Sequence, residues 1–400
     1  MSVTFADIER AAGRIAGQVE KTPVRYSRGL SELTGAEVWV KFENLHYTGS
    51  FKERGACNRL SQLTEDERRR GVVAASAGNH AQALAYYGKR LGVPVTIVMP
   101  EGTPFVKIQK TQSHGARVII HGLDFSQSTE RVMELVRDEN LLFVSAFDDE
   151  GIVAGQGTCG LEFLDQAPDL DALLIPIGGG GLIAGCAIAA KHLKPGIEIY
   201  GVEAAMYPSF TARRKGETPR CGGQTIAEGI AIKAVGEIPF KLADPLVDDV
   251  IVCDEADFER AVAAYATIEK TVAEGAGAGG LAALLRDPAR FRGKKIGLVL
   301  CGGNIDARML AVVLNRELVR QKRLVVFRIL GDDRPGMLAK MSQVIGDLGG
   351  NIIEVIHNRL ALDVPAKGAE FDIMVETRDA GHAEQIEAAL KEHGYVLRPR

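Results

Sequence analysis

Between residue 37 and about residue 320, short runs rich in β-branched residues alternate with longer stretches of helical pattern. EVWVKF (37–42), GVVAAS (71–76), VTIVMP (95–100), ARVIIH (116–121), LLFVSAF (141–147), ALLIPI (172–177), IEIYGVE (197–203) and KIGLVLC (295–301) are the candidate strands. Stretches such as HAQALAYYGKRLG (80–92) and STERVMELVRDEN (128–140) separate them. This alternation predicts βαβ units and an α/β fold with mainly parallel sheet. A closed barrel would keep a uniform rhythm. Residues 203–250 break it, so the pattern predicts two open sheets with a cleft between them, and not a barrel.

The pattern changes near QKR (321–323), a plausible linker. Residues 324–400 read as strand (LVVFRIL), loop (GDDRPG), helix (MLAKMSQVIGDLG), two strands (NIIEVIHNRL and AEFDIMVET), helix (AEQIEAALKEHG) and a short terminal strand (YVLRP). That βαββαβ order predicts a ferredoxin-like module. The expected domains are therefore 1–320 and 324–400.

Two segments imitate other structures. ALLIPIGGGGLIAGCAIAA (172–190) carries no charge and is near the length of a membrane span. Its proline and four central glycines suit a helix interior badly, so it reads as strand, glycine loop and helix. GQGTCG (155–160) matches a dinucleotide-binding fingerprint, but no acid stands at the required spacing and its context reads as helix. Its glycines are expected to serve helix packing. MSVTFADIERAAGRI carries acids and reads as an amphipathic helix, not a signal peptide.

Composition changes this picture little. The 400 residues are 46% hydrophobic and 25% charged, as in globular proteins. A net charge of -4 gives no concentrated basic face, which argues against a nucleic-acid partner. The six cysteines are scattered, without zinc spacing, and read as buried small hydrophobes in a reducing, cytoplasmic setting. No membrane partner is expected.

The candidate chemistry lies at strand ends. Lys52, in TGSFKERGA (48–56), is surrounded by small residues, with Glu53 and Arg54 expected to face solvent. SAGNHAQA (76–83) turns a strand into a helix, where Ser76 or Asn79 could cap the helix or bind a ligand. GGGG (178–181) lets backbone approach an anion at a helix N-terminus, as a phosphate cradle does. CGGN (301–304) follows another strand, and Cys301 in isolation reads as a small buried residue. A lysine, a phosphate cradle and small polar groups in one cleft suggest pyridoxal 5'-phosphate.

In order and spacing, TGSFKERGA, SAGNHAQA, GGGGLIAG and CGGNID resemble the fold-type II pyridoxal-phosphate enzymes, most nearly the threonine ammonia-lyases (threonine dehydratases), with serine racemases as near relatives. DDRPGML (332–338) and GGNI (349–352) resemble an ACT domain, a regulatory amino-acid-binding module. The resemblance implies a tryptophan-synthase-β-like fold with a small subdomain, about 50–150, inserted in a larger one. It implies β-elimination of L-threonine to 2-oxobutanoate and ammonia, and of L-serine to pyruvate. Serine racemisation, or dehydration of another β-hydroxy amino acid such as 3-hydroxyaspartate, is the alternative. An amino-acid sensor without catalysis is a further one.

Carried over by residue, the resemblance makes Lys52 the Schiff-base lysine, with Phe51 near the ring. Asn79 faces the phenolic oxygen, and Ser76, Ala77, Gly78, Asn79 and His80 receive the substrate carboxylate. Gly178, Gly179, Gly180, Gly181 and Leu182 bind the phosphate. Cys301 faces the pyridine nitrogen, where many relatives have serine. Serine racemases have a second serine at the Ala77 position, which favours elimination here. Some relatives bind a divalent cation through a glutamate matching Glu203 and an aspartate six residues on. Ser209 stands at that place, so no obligatory metal is expected. The tail implies an effector, isoleucine or valine, at Pro335, Gly336, Leu338, Asn351 and Ile352, in a homodimer or homotetramer.

Overall fold

A computed structural model describes residues 3–359 and 367–398. The chain divides into two compact units, Met1–Asp306 and Ala307–Arg400. The helix Ala307–Arg320 groups with the second.

The strands of the first unit are β1 (Val24–Tyr26), β2 (Glu37–Phe42), β3 (Val72–Ala75), β4 (Val95–Met99), β5 (Arg117–Ile120), β6 (Leu142–Phe143), β7 (Ala172–Pro176), β8 (Glu198–Ala204), β9 (Asp249–Cys253) and β10 (Lys295–Leu300). They form two open sheets. The larger has the order β1-β2-β10-β7-β8-β9, and the smaller β5-β4-β3-β6. Every pairing is parallel except that of β1 with β2. The alternating pattern thus predicts the architecture correctly. It misses β1, a three-residue edge strand, and β9, an edge strand that begins at the end of the stretch read as irregular. Edge strands bury only part of their surface, so their apolar signal is weak.

The central strands β3, β4 and β7 are buried throughout, as strands covered by helices on both faces must be. Between the sheets lie two helices, Lys52–Ser61 and Glu150–Gln166. Ala56, Cys57 and Leu60 of the first join the core around β3 and β4. Val153, Ala154, Cys159 and Phe163 of the second join the core around β7 and β8. GQGTCG falls inside Glu150–Gln166, where a Cβ at Gly160 would come within 2.8 Å of Cys186 Cα. The fingerprint match is therefore a helix-packing device. The uncharged segment 172–190 is β7, a loop and the helix Gly181–Leu193. Among the described residues, no helix is long and apolar enough to cross a membrane.

The second unit contains β11 (Leu324–Asp332), β12 (Asn351–Asn358), β13 (Gly368–Glu376) and β14 (Val396–Leu397) in one antiparallel sheet of order β12-β13-β11-β14. Helices Met337–Asp347 and Ala380–Glu392 alternate with them as expected. Their apolar faces meet the sheet in a core that includes Phe327, Ile329, Met341, Ile345, Phe371 and Ile386.

One expectation fails. Glu53 and Arg54 do not face solvent: they are 2% and 0% exposed. Arg54 donates from Nε and Nη2 to Glu43 at 2.6 and 2.7 Å. It also donates from Nη1 and Nη2 to Glu162, both at 2.8 Å, and from Nη1 to Thr158 at 3.2 Å. All five N–H groups of the guanidinium are thereby used. Lys41, also buried, completes the cluster through Glu162 at 2.8 Å. A buried charge persists only when paired and hydrogen-bonded, and the fold supplies those partners here.

Candidate active site

Lys52 opens the helix Lys52–Ser61, and Phe51 before it donates its backbone N–H to the Cys301 carbonyl at 3.0 Å. Ser50 bridges to Gly302. The TGSFK turn and the CGGN turn are therefore joined through their backbones. Lys52 Nζ lies 5.1 Å from the Phe51 ring centroid and donates to the Ala146 carbonyl at 2.8 Å. Burial pulls its ammonium down to about 8, against the opposing pull of Cys301 and Glu274.

SAGNH leads from β3 into the helix Asn79–Leu91. Neither Ser76 nor Asn79 caps that helix. Gly78 is the N-cap, and Ser76 Oγ accepts from the Gly78 N–H at 3.3 Å. Asn79 instead donates from Nδ2 to Glu274 at 2.7 Å, and its Oδ1 accepts from Asn304 at 2.8 Å. Asn304 also donates to the Thr48 carbonyl at 2.6 Å, which ties SAGNH to both other turns. His80 is buried with Nε2 3.4 Å from the Val144 carbonyl. Burial, and then Lys52, drive its imidazolium down to about 3, so the ring is neutral. Ala77 is half-buried beside the core of the smaller sheet.

The glycine loop follows β7 and starts the helix Gly181–Leu193. Gly180 has φ +91°, a conformation that favours glycine. A Cβ at Gly178 would stand 2.9 Å from the Gly229 carbonyl. One at Gly179 would fall inside the Phe147 ring. Leu182 is buried in the larger core. The loop is thus a cradle closed to any side chain, with helix N–H groups at its end, which fits a phosphate. Phe147 adjoins Ala146, the acceptor of Lys52, so the cradle and the lysine share one connecting segment.

Cys301 is buried, with Sγ 3.3 Å from the Val299 carbonyl. Burial pushes its thiol well above the usual range, so it is no thiolate. Glu203 is buried and hydrogen-bonded within the chain. It accepts from the N–H groups of Phe210 at 2.6 Å and Thr211 at 3.0 Å, and from Thr211 Oγ1 at 2.6 Å. Ser209, at the place of the relatives' aspartate, donates to the Ile232 carbonyl.

Sequence reasoning missed Glu274, Asn304 and the Ala146–Phe147 segment. Burial pushes the Glu274 carboxyl up to about 7, against the Asn79 hydrogen bond. Glu274 sits in TVAEGAGAGG, one acid in a run of small residues, the signal that singles out Lys52.

In the second unit, Pro335 and Gly336 are exposed in the loop before the helix Met337–Asp347. Leu338 and Ile352 pack partly into its core. Asn351 donates to Glu376 at 3.1 Å.

Comparison with known proteins agrees with this geometry. Residues 15–302 match the family described as pyridoxal-phosphate dependent enzyme, and residues 325–394 match the ACT domain. The L-threonine ammonia-lyase of Thermotoga maritima is 42% identical over 398 residues, which cover 99% of each chain. The processed form of threonine deaminase isoform 2 from Solanum lycopersicum superposes with a TM-score of 0.74 and 32% identity, over 78% of this chain and 86% of that one. Serine racemase from Dictyostelium discoideum superposes with a TM-score of 0.71 and 36% identity, over 76% of this chain and all of that one. With its lysine, glycine cradle and trailing ACT domain, the chain belongs to the pyridoxal-phosphate dependent enzymes.

Proposed function

We propose that this protein deaminates L-threonine to 2-oxobutanoate and ammonia, and L-serine to pyruvate. The observation that carries this reading is the full-length likeness, at 42% identity, to a protein named L-threonine ammonia-lyase. A buried lysine that donates to the segment abutting the glycine loop supports it. Residues 1–320 are the catalytic region and 324–400 the regulatory one. The six free cysteines suit a cytoplasmic location.

When bound, pyridoxal phosphate supplies the electron sink that makes loss of the Cα proton feasible. Gly178–Leu182 would hold its phosphate through backbone N–H groups. Asn79, fixed by Glu274 and Asn304, would donate toward its phenolic oxygen. Cys301 would face its pyridine nitrogen, and a neutral thiol is a weak hydrogen-bond partner. Phe51 would pack beside the ring.

Ser76, Ala77, Gly78, Asn79 and His80 receive the substrate carboxylate through short side chains and the N–H groups at the start of the helix Asn79–Leu91. Lys52, with its lowered affinity for protons, takes the Cα proton as general base. The β-hydroxyl would then leave as water, taking a proton from the Lys52 ammonium so formed, and the released aminocrotonate would hydrolyse to 2-oxobutanoate and ammonia. Ala77 has no group to return a proton from the opposite face, which favours elimination over racemisation. A substrate one methyl smaller is discriminated by only about 10–200-fold, so L-serine reacts as well.

Isoleucine or valine acts as effector, held by Pro335, Gly336, Leu338, Asn351 and Ile352 in a homodimer or homotetramer. An assay of 2-oxo acid and of D-amino acid from L-threonine and L-serine, with and without isoleucine and valine, tests the whole reading. Oxo acid is expected from both substrates. D-serine as the main product, or no product at all, overturns it.

A further inference from the structure

Glu53 and Arg54 follow the candidate catalytic lysine directly and point to opposite sides of its helix. Arg54 binds Glu43 and Glu162, on the side of the larger sheet. Glu53 binds toward the smaller sheet. Tyr87 OH, in the helix Asn79–Leu91, donates to Glu53 Oε2 at 2.9 Å. The Thr48 N–H donates to Glu53 Oε1 at 2.5 Å. His46 stands between the two halves, with Nε2 2.9 Å from Glu43 and Nδ1 4.0 Å from Glu53. Two buried hydrogen-bonded groups thus flank the helix, Tyr87 with Glu53 on one side and His46 through Glu43 and Arg54 to Glu162 on the other, with 4.0 Å between His46 Nδ1 and Glu53.

We propose that Tyr87 and Glu53 are positioning residues that fix the SAGNH loop at a set distance from Lys52. Tyr87 belongs to the helix whose first residues are Asn79 and His80, so anchoring its phenol anchors that N-terminus. Glu53 belongs to the first turn of the helix that begins at Lys52. Ala56, Cys57 and Leu60 of the one helix share an apolar core with Ala81, Leu84 and Ala85 of the other. Apolar surfaces slide at small cost, whereas a buried carboxylate and hydroxyl accept one register only. Burial, and then Glu53, push the Tyr87 phenol far above its usual range, so it stays a donor at any working pH. The Tyr87 OH also lies 3.1 Å from the Gln18 carbonyl, the weaker of its two acceptors.

The kinetic part of the test rests on the proposed deamination of L-threonine, and the exchange part does not. Tyr87→Phe keeps the ring and its edge contact with Tyr86 at 5.0 Å between centroids, and removes only the donor. In cofactor-loaded full-length protein, it should raise KM for L-threonine about tenfold, the worth of one hydrogen bond to a charged group. Hydrogen exchange at amides 76–80 should accelerate, with global unfolding little changed. Glu53→Gln, whose one carbonyl oxygen can accept from the Thr48 N–H while its amide N–H donates to the Tyr87 oxygen and the Tyr87 O–H turns to the Gln18 carbonyl, should stay within about threefold of the parent KM. A Tyr87→Phe protein with unchanged KM and unchanged exchange at 76–80 overturns the proposal. So does one that loses only thermal stability and kcat, the outcome of a purely structural role. If the parent protein makes no oxo acid while exchange at 76–80 still rises in Tyr87→Phe, the deamination reading fails and the positioning role stands.

Discussion

The Asn79 amide donates to the Glu274 carboxylate at 2.7 Å, across 195 positions of sequence. That contact joins a loop of the smaller sheet to the strand-end segments of the larger one, at the place where the two must meet around a substrate. Its acceptor titrates close to neutrality, because burial raises the Glu274 carboxyl to about 7. The ionised form is the stronger acceptor. The value of kcat/KM for L-threonine should therefore rise with pH through about 7, and Glu274→Gln should flatten that limb. For stability the sign is opposite. A carboxyl raised above its unfolded value of about 4.3 contributes stability that is lost as pH rises through the folded value. Glu274→Gln should accordingly narrow the loss of stability between pH 5 and 8, measured by urea unfolding.

Lys52 is drawn down to about 8, so in the apoprotein half of it is a neutral amine at that pH and about a tenth at pH 7. An ordinary lysine is neutral only above about 10. Covalent capture of pyridoxal phosphate by the apoprotein, trapped by borohydride, should therefore speed up with pH along a curve centred near 8. A midpoint near 10 would show that burial does not tune this amine. Lys52→Ala should show no capture at any pH.

The Phe147 ring occupies the space a side chain at Gly179 would need. Gly179→Ala should push the ring or the loop aside, with an overpacking cost of about 1–3 kcal/mol. Cofactor affinity, measured by equilibrium dialysis, should fall by tenfold or more on the same scale. Gly196→Ala, where a Cβ meets nothing within 4 Å, is the matched control and should keep parental affinity.

Arg54 is the counter-charge for two glutamates. Arg54→Met keeps much of the volume and leaves Glu43 buried without its main partner, at a cost of about 3–5 kcal/mol. In the parent, burial pushes the Glu43 carboxyl up, but Arg54 and His46 outweigh it and hold it well below the usual range. Such a carboxylate contributes stability above about pH 4.3 and loses it as pH falls through the folded value. The gap between parent and variant in urea midpoint should therefore be wide from pH 7 down to about 4.3 and shrink as pH falls below it. A gap that does not change with pH would mean that lost packing, and not charge, sets the cost.

The architecture was legible because period survives in one dimension. Buried parallel strands such as β7 are apolar throughout, and their helices repeat with their own period, so alternation marks both. The glycine loop was legible for a local reason: no side chain fits between β7 and its helix. Edge strands β1 and β9 escaped because they are short and only partly buried, so their pattern is dilute.

By itself the sequence determined the element order, the positions of SAGNH, GGGG and CGGN at strand ends, and the change of pattern near residue 321, whereas Lys52 opens a helix ten residues beyond β2. Those are properties of neighbouring residues. Tertiary structure alone decided which charges are buried. Glu53 and Arg54 look like surface residues beside Lys52, and nothing local distinguishes them from such residues. Arg54 is driven inside by Glu43 and Glu162, 11 and 108 positions away, and Asn79 is oriented by Glu274. A charge can leave water only where partners meet it. Chain closure brings those partners together, and no period in the sequence records it.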